Sequence, residues 1–529
     1  MYTKDGKFYI AHGVETATEG KGESTKMPIY MLGNMANRHG LVAGATGTGK
    51  TVTLQVLAES FSKAGVPCFM ADMKGDLSGV SQAGSLSNFI KKRLEAKDFD
   101  LTEDDLEFEG CPVRFYDVYS KQGHPLRASV GEMGPELVSR ILDLNDTQTG
   151  VINILFRVLD DKGILLDDLK DLRSALDWIS KHAKELSSQY GNISSASVGA
   201  IQRSLLQLEN QGADQFFGIP SFDVKDLIAK DKNGRGILSI LAADELMLQP
   251  RLYSTFLLWL LSQLYSTLPE VGDQELPKLI FFFDEAHMLF DDASKALTEK
   301  IEQIIRLIRS KGVGIFFVTQ LPTDIPEIVR AQLNNRVQHA LRAYTPKDQK
   351  AVKAAAETFR TNPNFKTEDA ISTLETGEAL VSFLDEKGAP SVVQRAKIMF
   401  PLSQIGAITE EQRSDIIKDG IHKYDEAEDR ESAFEVFKKE AEEAEDAAAA
   451  EAEEKEGKKK KGLLSKIWKA VSTAVTATLA ALLGSYVSGK ITGKKSKTSA
   501  KDAAGRAVKN ATSAASRTIV RDILGNLVK

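Results

Sequence analysis

The chain has 529 residues, 42% of them hydrophobic and 27% charged, with a formal net charge of -6. It is too long for one ordinary domain, and its balance is that of a soluble globular protein. The small net charge neither requires nor excludes nucleic acid. The two cysteines, Cys68 and Cys111, form no C-x-x-C pair, which argues against a metal knuckle or redox couple and for reduced thiols in a cytoplasmic protein. Met1 to Lys7 carry charge with no apolar stretch behind them, so no secretory signal is expected.

Composition divides the chain into three regions. Residues 1–425 mix apolar runs with Gly and Pro punctuation and predict one α/β core, a parallel sheet covered by helices. The expected strands are His39–Val42, Val66–Ala71, Gly236–Leu241, Lys278–Asp284, Gly314–Thr319, Arg336–Ala343 and Ala379–Leu384. From about 133 to 210 the spacing turns helical with few strand formers, which predicts a helical insertion into that core. Residues 426–457 are dense in Glu and Ala and read as a solvated helix or disordered linker.

The third region, 458–529, is a basic tail that opens with Lys458 to Lys461. Ala470 to Gly489 carries no charge, and about 20 residues suffice to span a bilayer, but interspersed Ser and Thr dilute it. Leu463, Leu464, Ile467 and Trp468 beside Lys466 and Lys469 fit an interfacial amphipathic start. A spanning helix, weak contact with a membrane surface and a self-associating or flexible helix all stay open for this tail.

The clearest chemistry lies at Gly44-Ala45-Thr46-Gly47-Thr48-Gly49-Lys50-Thr51, which matches the phosphate-loop pattern G-x-x-x-x-G-K-[ST]. Its glycines let the backbone curl so that amide N–H groups face phosphate oxygens. Lys50 is placed to reach the β- and γ-phosphates of ATP, and Thr51 to ligate Mg²⁺. Leu41-Val42-Ala43 precedes the loop as an apolar strand, and Val52, Leu54, Leu57, Ala58 and Phe61 follow at helical spacing. Gly44 to Val52 are therefore the candidate nucleotide-binding residues.

Such a loop needs a second strand ending in an acid. The run Leu279 to Phe283 is continuously apolar, as a buried parallel strand should be, and ends in Asp284-Glu285. Asp284 is the candidate Mg²⁺ ligand and Glu285 the candidate base for the attacking water. With Ala286 and His287 these residues spell a helicase box, yet the other motifs of two-lobed helicases are not found. The strand Gly314 to Val318 ends in Thr319-Gln320, either a polar pair at the γ-phosphate or a plain turn before Pro322. Arg336 and Arg342 flank a later strand, each either a surface arginine or one presented across a subunit interface to developing phosphate charge.

Together these motifs resemble the HerA-like branch of the HerA/FtsK superfamily of ring-forming DNA-pumping ATPases, most nearly its bacterial DUF853 (YjgR-like) family. Asp72-Met73-Lys74-Gly75-Asp76, Leu144-Asn145-Asp146-Thr147-Gln148 and Ser197 to Arg203 extend the resemblance over most of residues 1–425. It implies a RecA-like core, a homo-hexameric ring and ATP-driven movement along duplex DNA. It also implies that Gln320 senses the γ-phosphate and that Arg336 or Arg342 acts as a finger in trans. HerA proper carries a β-barrel before its ATPase core, whereas 43 residues precede Gly44 here. That difference puts in doubt any nuclease partner docking through such a barrel. The competing class is an ATP-dependent switch or scaffold that remodels a protein partner, with the basic tail offering a route to a membrane surface.

Overall fold

The computed structural model describes residues 3–14, 26–272, 274–291, 295–342 and 345–456. The basic tail and its amphipathic start lie outside these residues. The described residues form two compact units, one of residues up to Ala128 with Leu208–Glu428, the other of Ser129–Gln207 with residues 429–456.

Among the described residues, the first unit is built on a 13-stranded sheet. Its longer strands are β1 (Lys7–Gly13), β2 (Pro28–Leu32), β3 (Gly40–Ala43), β4 (Cys68–Asp72), β5 (Val113–Asp117), β6 (Leu238–Ala242), β7 (Leu279–Phe283), β8 (Val313–Thr319), β9 (Asn335–Gln338), β10 (Glu378–Ser382) and β11 (Gln394–Ile398). Across the sheet the order runs β1-β11-β10-β9-β3-β8-β7-β4-β6-β5, with β2 paired to β1. From β9 to β5 every pairing is parallel. The pairings from β9 through β10 and β11 to β1 are antiparallel. This is a RecA-like P-loop core with a mostly parallel sheet, as the sequence predicts.

All seven expected strands are present, six with ends shifted by one or two residues and the one expected over Arg336–Ala343 stopping already at Gln338. β1, β2, β5 and β11 were not expected. β11, Gln-Arg-Ala-Lys-Ile, buries only alternate side chains and therefore lacks the unbroken apolar run of a central strand. β7 has that run and is buried on both faces. Its alternation sends Phe281 and Phe283 against Phe69 and Phe317, and Phe282 against Phe61 and Phe316. The helix α1 (Lys50–Lys63) follows β3 and buries Leu54, Leu57, Ala58 and Phe61.

The second unit is helical. It contains α2 (Val130–Ile141), α3 (Asp146–Lys162), α4 (Leu169–Lys181), α5 (Ala183–Tyr190), most of α6 (Ser195–Asn210) and α7 (Ala433–Glu456). Reciprocal caps start two of these helices. Asn145 and Gln148 exchange side-chain and backbone hydrogen bonds at α3, and Asp168 and Asp171 do so at α4.

The acidic segment expected as a solvated helix or linker is helical, but its first turns are docked. Arg430 grips the Asp167 carboxylate through two nitrogens at 2.6 and 2.7 Å. Trp178 stacks on Phe437 with centroids 4.9 Å apart and donates from Nε1 to Glu440 at 3.0 Å. The surrounding Glu and Ala masked these few anchoring residues in the sequence. Among the described residues, no helix is long and apolar enough to cross a membrane.

Candidate functional site

The phosphate loop joins the end of β3 to the start of α1. Gly49 precedes the helix at φ 113°, a left-handed conformation that side chains rarely adopt. The loop is tied on three sides. Gly44 N–H donates to Thr319 O at 3.3 Å, Ala45 N–H to Ala340 O at 2.9 Å, and Gly377 N–H to Thr48 O at 3.2 Å. Within it Thr48 Oγ1 donates to Ala45 O at 2.7 Å, and Lys50 Nζ donates to Gly44 O at 2.7 Å and Ala45 O at 3.2 Å.

The strand order puts β8 between β3 and β7. Gln320, at the end of β8, is thus flanked by the phosphate-loop strand and by the strand carrying Asp284 and Glu285. Gln320 is exposed, while Thr319 donates from Oγ1 to Asp324 at 3.2 Å and holds the strand end.

Asp284 accepts from Glu285 N–H at 3.0 Å, and its backbone carbonyl accepts from the Tyr253 hydroxyl at 3.0 Å. Glu285 sits at φ 46°, left-handed for a residue with a full side chain. Burial, and then the neighbouring Glu285 charge, push the Asp284 carboxyl up to about 7, opposed by Lys50 and Lys74. Burial lowers the Lys50 pKa, while Glu285 and Asp284 pull it back up. One lysine and two carboxylates therefore share a single field. Glu285 Oε2 is buried without a hydrogen-bond partner and lies 3.4 Å from His287 Nδ1.

A carboxyl held near neutrality beside an orphaned carboxylate oxygen suits a divalent cation, whose charge would offset the burial that raises Asp284. The candidate ligands are Asp284, just past β7, and Thr51, in the first turn of α1. Asp72 ends β4 in a related environment. It is buried, one of its oxygens has no partner, and burial and then Asp76 push it up to about 6.

The two arginines differ. Arg336 is half-buried and spends its guanidinium on backbone carbonyls, donating to Leu333 O at 2.9 Å, Arg330 O at 3.5 Å and Thr358 O. Arg342 is exposed. Lys74 and His339 escaped the sequence reading. Lys74 belongs to a quoted motif, but its charge reaches Asp284 only through the pairing of β4 with β7. His339 lies inside the expected strand Arg336–Ala343, and the observed strand β9 stops one residue before it, at Gln338.

Among the described residues, His124, His422 and Asp425 form a cluster with metal-compatible spacing. Both Asp425 oxygens already meet imidazole nitrogens, at 2.8 and 2.6 Å, and His422 Nε2 meets Lys418 O at 2.9 Å. Both Asp425 oxygens and both His422 nitrogens are thus engaged, while His124 Nε2 is buried without a hydrogen-bond partner.

The profile of the family described as "Helicase HerA-like C-terminal" matches residues 18–529. The chain belongs to this family. This HerA-like chain is 22% identical over 370 residues to the DNA double-strand break repair helicase HerA of Sulfurisphaera tokodaii. It is 22% identical over 375 residues to that of Sulfolobus acidocaldarius. Each match covers 68% of the HerA-like chain and 66% of the relative, just under two thirds of the relatives' length. Among solved structures it is similar to the plasmid coupling protein TrwB in complex with ADP and Mg²⁺, with a TM-score of 0.47 and 16% identity over 75% of this chain and 97% of that one. VirB4 of Thermoanaerobacter pseudethanolicus is similar with a TM-score of 0.44 and 14% identity, over 74% and 96% of the two chains.

Proposed function

We propose that this HerA-like chain is an ATP-hydrolysing motor that assembles as a homo-hexameric ring and translocates duplex DNA. The observation that carries the chemistry is the convergence of Lys50 with Asp284 and Glu285 beneath a phosphate loop. Loop amides from Gly44 to Thr51 cradle the phosphates, and Lys50 binds the transferred phosphoryl. Thr51 and Asp284 would hold Mg²⁺, which supplies neutralising charge when bound. Glu285 takes the proton of the attacking water, and Gln320 orients that water from the adjacent strand end. Arg342 acts on the neighbouring subunit's nucleotide.

DNA as the substrate rests on family membership and on the relatives' described activity. The test is the ATPase rate of the purified chain with and without duplex DNA at two salt concentrations. DNA should stimulate turnover, and the stimulation should weaken steeply with salt because phosphate contacts release counterions. A rate indifferent to DNA, but raised by a protein fraction, would move the assignment to a partner-remodelling switch.

A further inference from the structure

We propose that His339 is a positioning residue for the phosphate loop, pinning both the loop and its helix to the edge of β10; this rests on the nucleotide-binding reading above. His339 follows β9 and is fully buried. Its own N–H donates to Ala43 O at 2.7 Å, and the next residue accepts from Ala45 N–H. Its ring contacts both remaining parts of the assembly. Nδ1 lies 3.0 Å from Glu378 O, and Nε2 lies 2.8 Å from the Thr53 hydroxyl on α1.

These partners fix the tautomer. A carbonyl can only accept, so Nδ1 carries the hydrogen and Nε2 accepts from Thr53. Burial pushes the His339 pKa down to about 4, which keeps this neutral form through the physiological range. The loop also approaches this residue closely. A β-carbon added at Gly44 would fall 2.5 Å from His339 Cβ, too near for a side chain, while one at Gly49 would make ordinary contact, 3.5 Å from the ring carbon Cε1. Gly377, just before Glu378, donates to Thr48 O. Loop, helix and β10 thus close around one imidazole with both nitrogens engaged. A glycine-rich loop has much conformational freedom to lose on binding, and a rigid support beneath it removes part of that cost beforehand.

The amide cradle holds phosphates in ground state and transition state alike, so loosening it should act on affinity more than on turnover. In the full chain, His339→Asn keeps a donor near the Nδ1 position and loses the acceptor for Thr53. Thr53→Val removes the hydroxyl at constant shape. Each should weaken ADP binding, measured by calorimetry, and raise the KM for ATP by about three- to tenfold, the weight of one net hydrogen bond. The kcat should change by less than about twofold, and the double variant should be no worse than the poorer single one. Nitrogen-15 NMR of the imidazoles should show an Nδ1–H resonance that does not titrate between about pH 8 and pH 5 and is missing in His339→Asn. ADP affinity unchanged in the folded variants, with only thermal stability reduced, would make His339 an ordinary core residue and overturn the proposal. Additive losses would overturn the route through Thr53. If His339→Asn does not fold, Thr53→Val carries the test by itself. ADP binding without ATP hydrolysis in the wild type would instead defeat the ATPase reading and leave the positioning role standing.

Discussion

The α/β unit and the helical unit are stabilised by different kinds of information. Sheet pairings between residues far apart in sequence hold the first, and its reactive groups meet only because β3, β8 and β7 lie side by side. Short-range caps and a few aromatic and ionic anchors hold the second. The contrast teaches caution about signatures. Leu144-Asn145-Asp146-Thr147-Gln148 helped identify the family, yet in the structure Asn145 and Gln148 cap α3. This motif of the helical unit is accounted for by helix initiation, whereas those of the phosphate loop and the end of β7 accompany the candidate chemistry.

The comparison predicts that chemistry can be removed from the α/β unit without unfolding it. Lys50→Ala should abolish ATP hydrolysis and weaken nucleotide binding with little change in thermal unfolding. Glu285→Gln should keep ATP bound while cleavage falls by about 10²–10⁴, because an amide cannot take the water's proton. Equal loss of binding and turnover in Glu285→Gln would make that residue structural.

Next in size is the arginine in trans. Arg342→Ala should lower turnover by about 10³–10⁵ if it acts as fingers do in other phosphoryl-transfer systems. Mixing it with Lys50→Ala should restore part of the activity at interfaces where one chain donates Arg342 and the other an intact loop. Arg336→Ala should instead act mainly on stability, since its guanidinium is committed to carbonyls within its own chain. Full activity in Arg342→Ala, or constant specific activity on dilution to monomer, would end the shared-site reading.

The helical unit supplies the converse case. Trp178→Ala should destabilise that unit by about 3–5 kcal/mol, from the lost aromatic packing and the unpaired Glu440. Hydrogen exchange should rise in α4 and α7 while ADP affinity in the α/β unit is retained. Loss of ADP binding in parallel would show that the two units are not energetically separable.

The smallest effect is a pH dependence. Burial and the Glu285 charge push the Asp284 carboxyl up to about 7, so a cation arriving below that pH should have to displace a proton. The half-saturating Mg²⁺ concentration should rise by up to about tenfold per pH unit below 7, and Asp284→Asn should flatten that slope. The sign for stability follows. A carboxyl raised in the folded state contributes stability at low pH and loses it as pH rises through about 7. The Mg²⁺-free chain should therefore be less stable at pH 8 than at pH 6, unless Asp284 is replaced by Asn.

How much of this was legible depended on range. The phosphate loop could be read because strand, glycines, lysine and helix are contiguous. Asp284 and Glu285 could be read because a fully buried strand advertises its own end. The position of His339 could not, because its meaning lies in Thr53 and Glu378, hundreds and tens of residues away in the chain. Arg336 and Arg342 look alike in sequence, and only Leu333, Thr358 and Arg330 tell them apart. The anchors of α7 were outnumbered by the Glu and Ala around them.

Glu285 has a consequence for engineering and for drift under selection. Left-handed backbone at a glutamate costs on the order of 1 kcal/mol, a cost that glycine would not bear. Selection for thermostability alone would therefore favour Gly or Asn at this position, and each such step would remove the proposed base. A stabilised variant recovered without an activity screen should be sequenced first at codon 285, where durability and turnover pull in opposite directions.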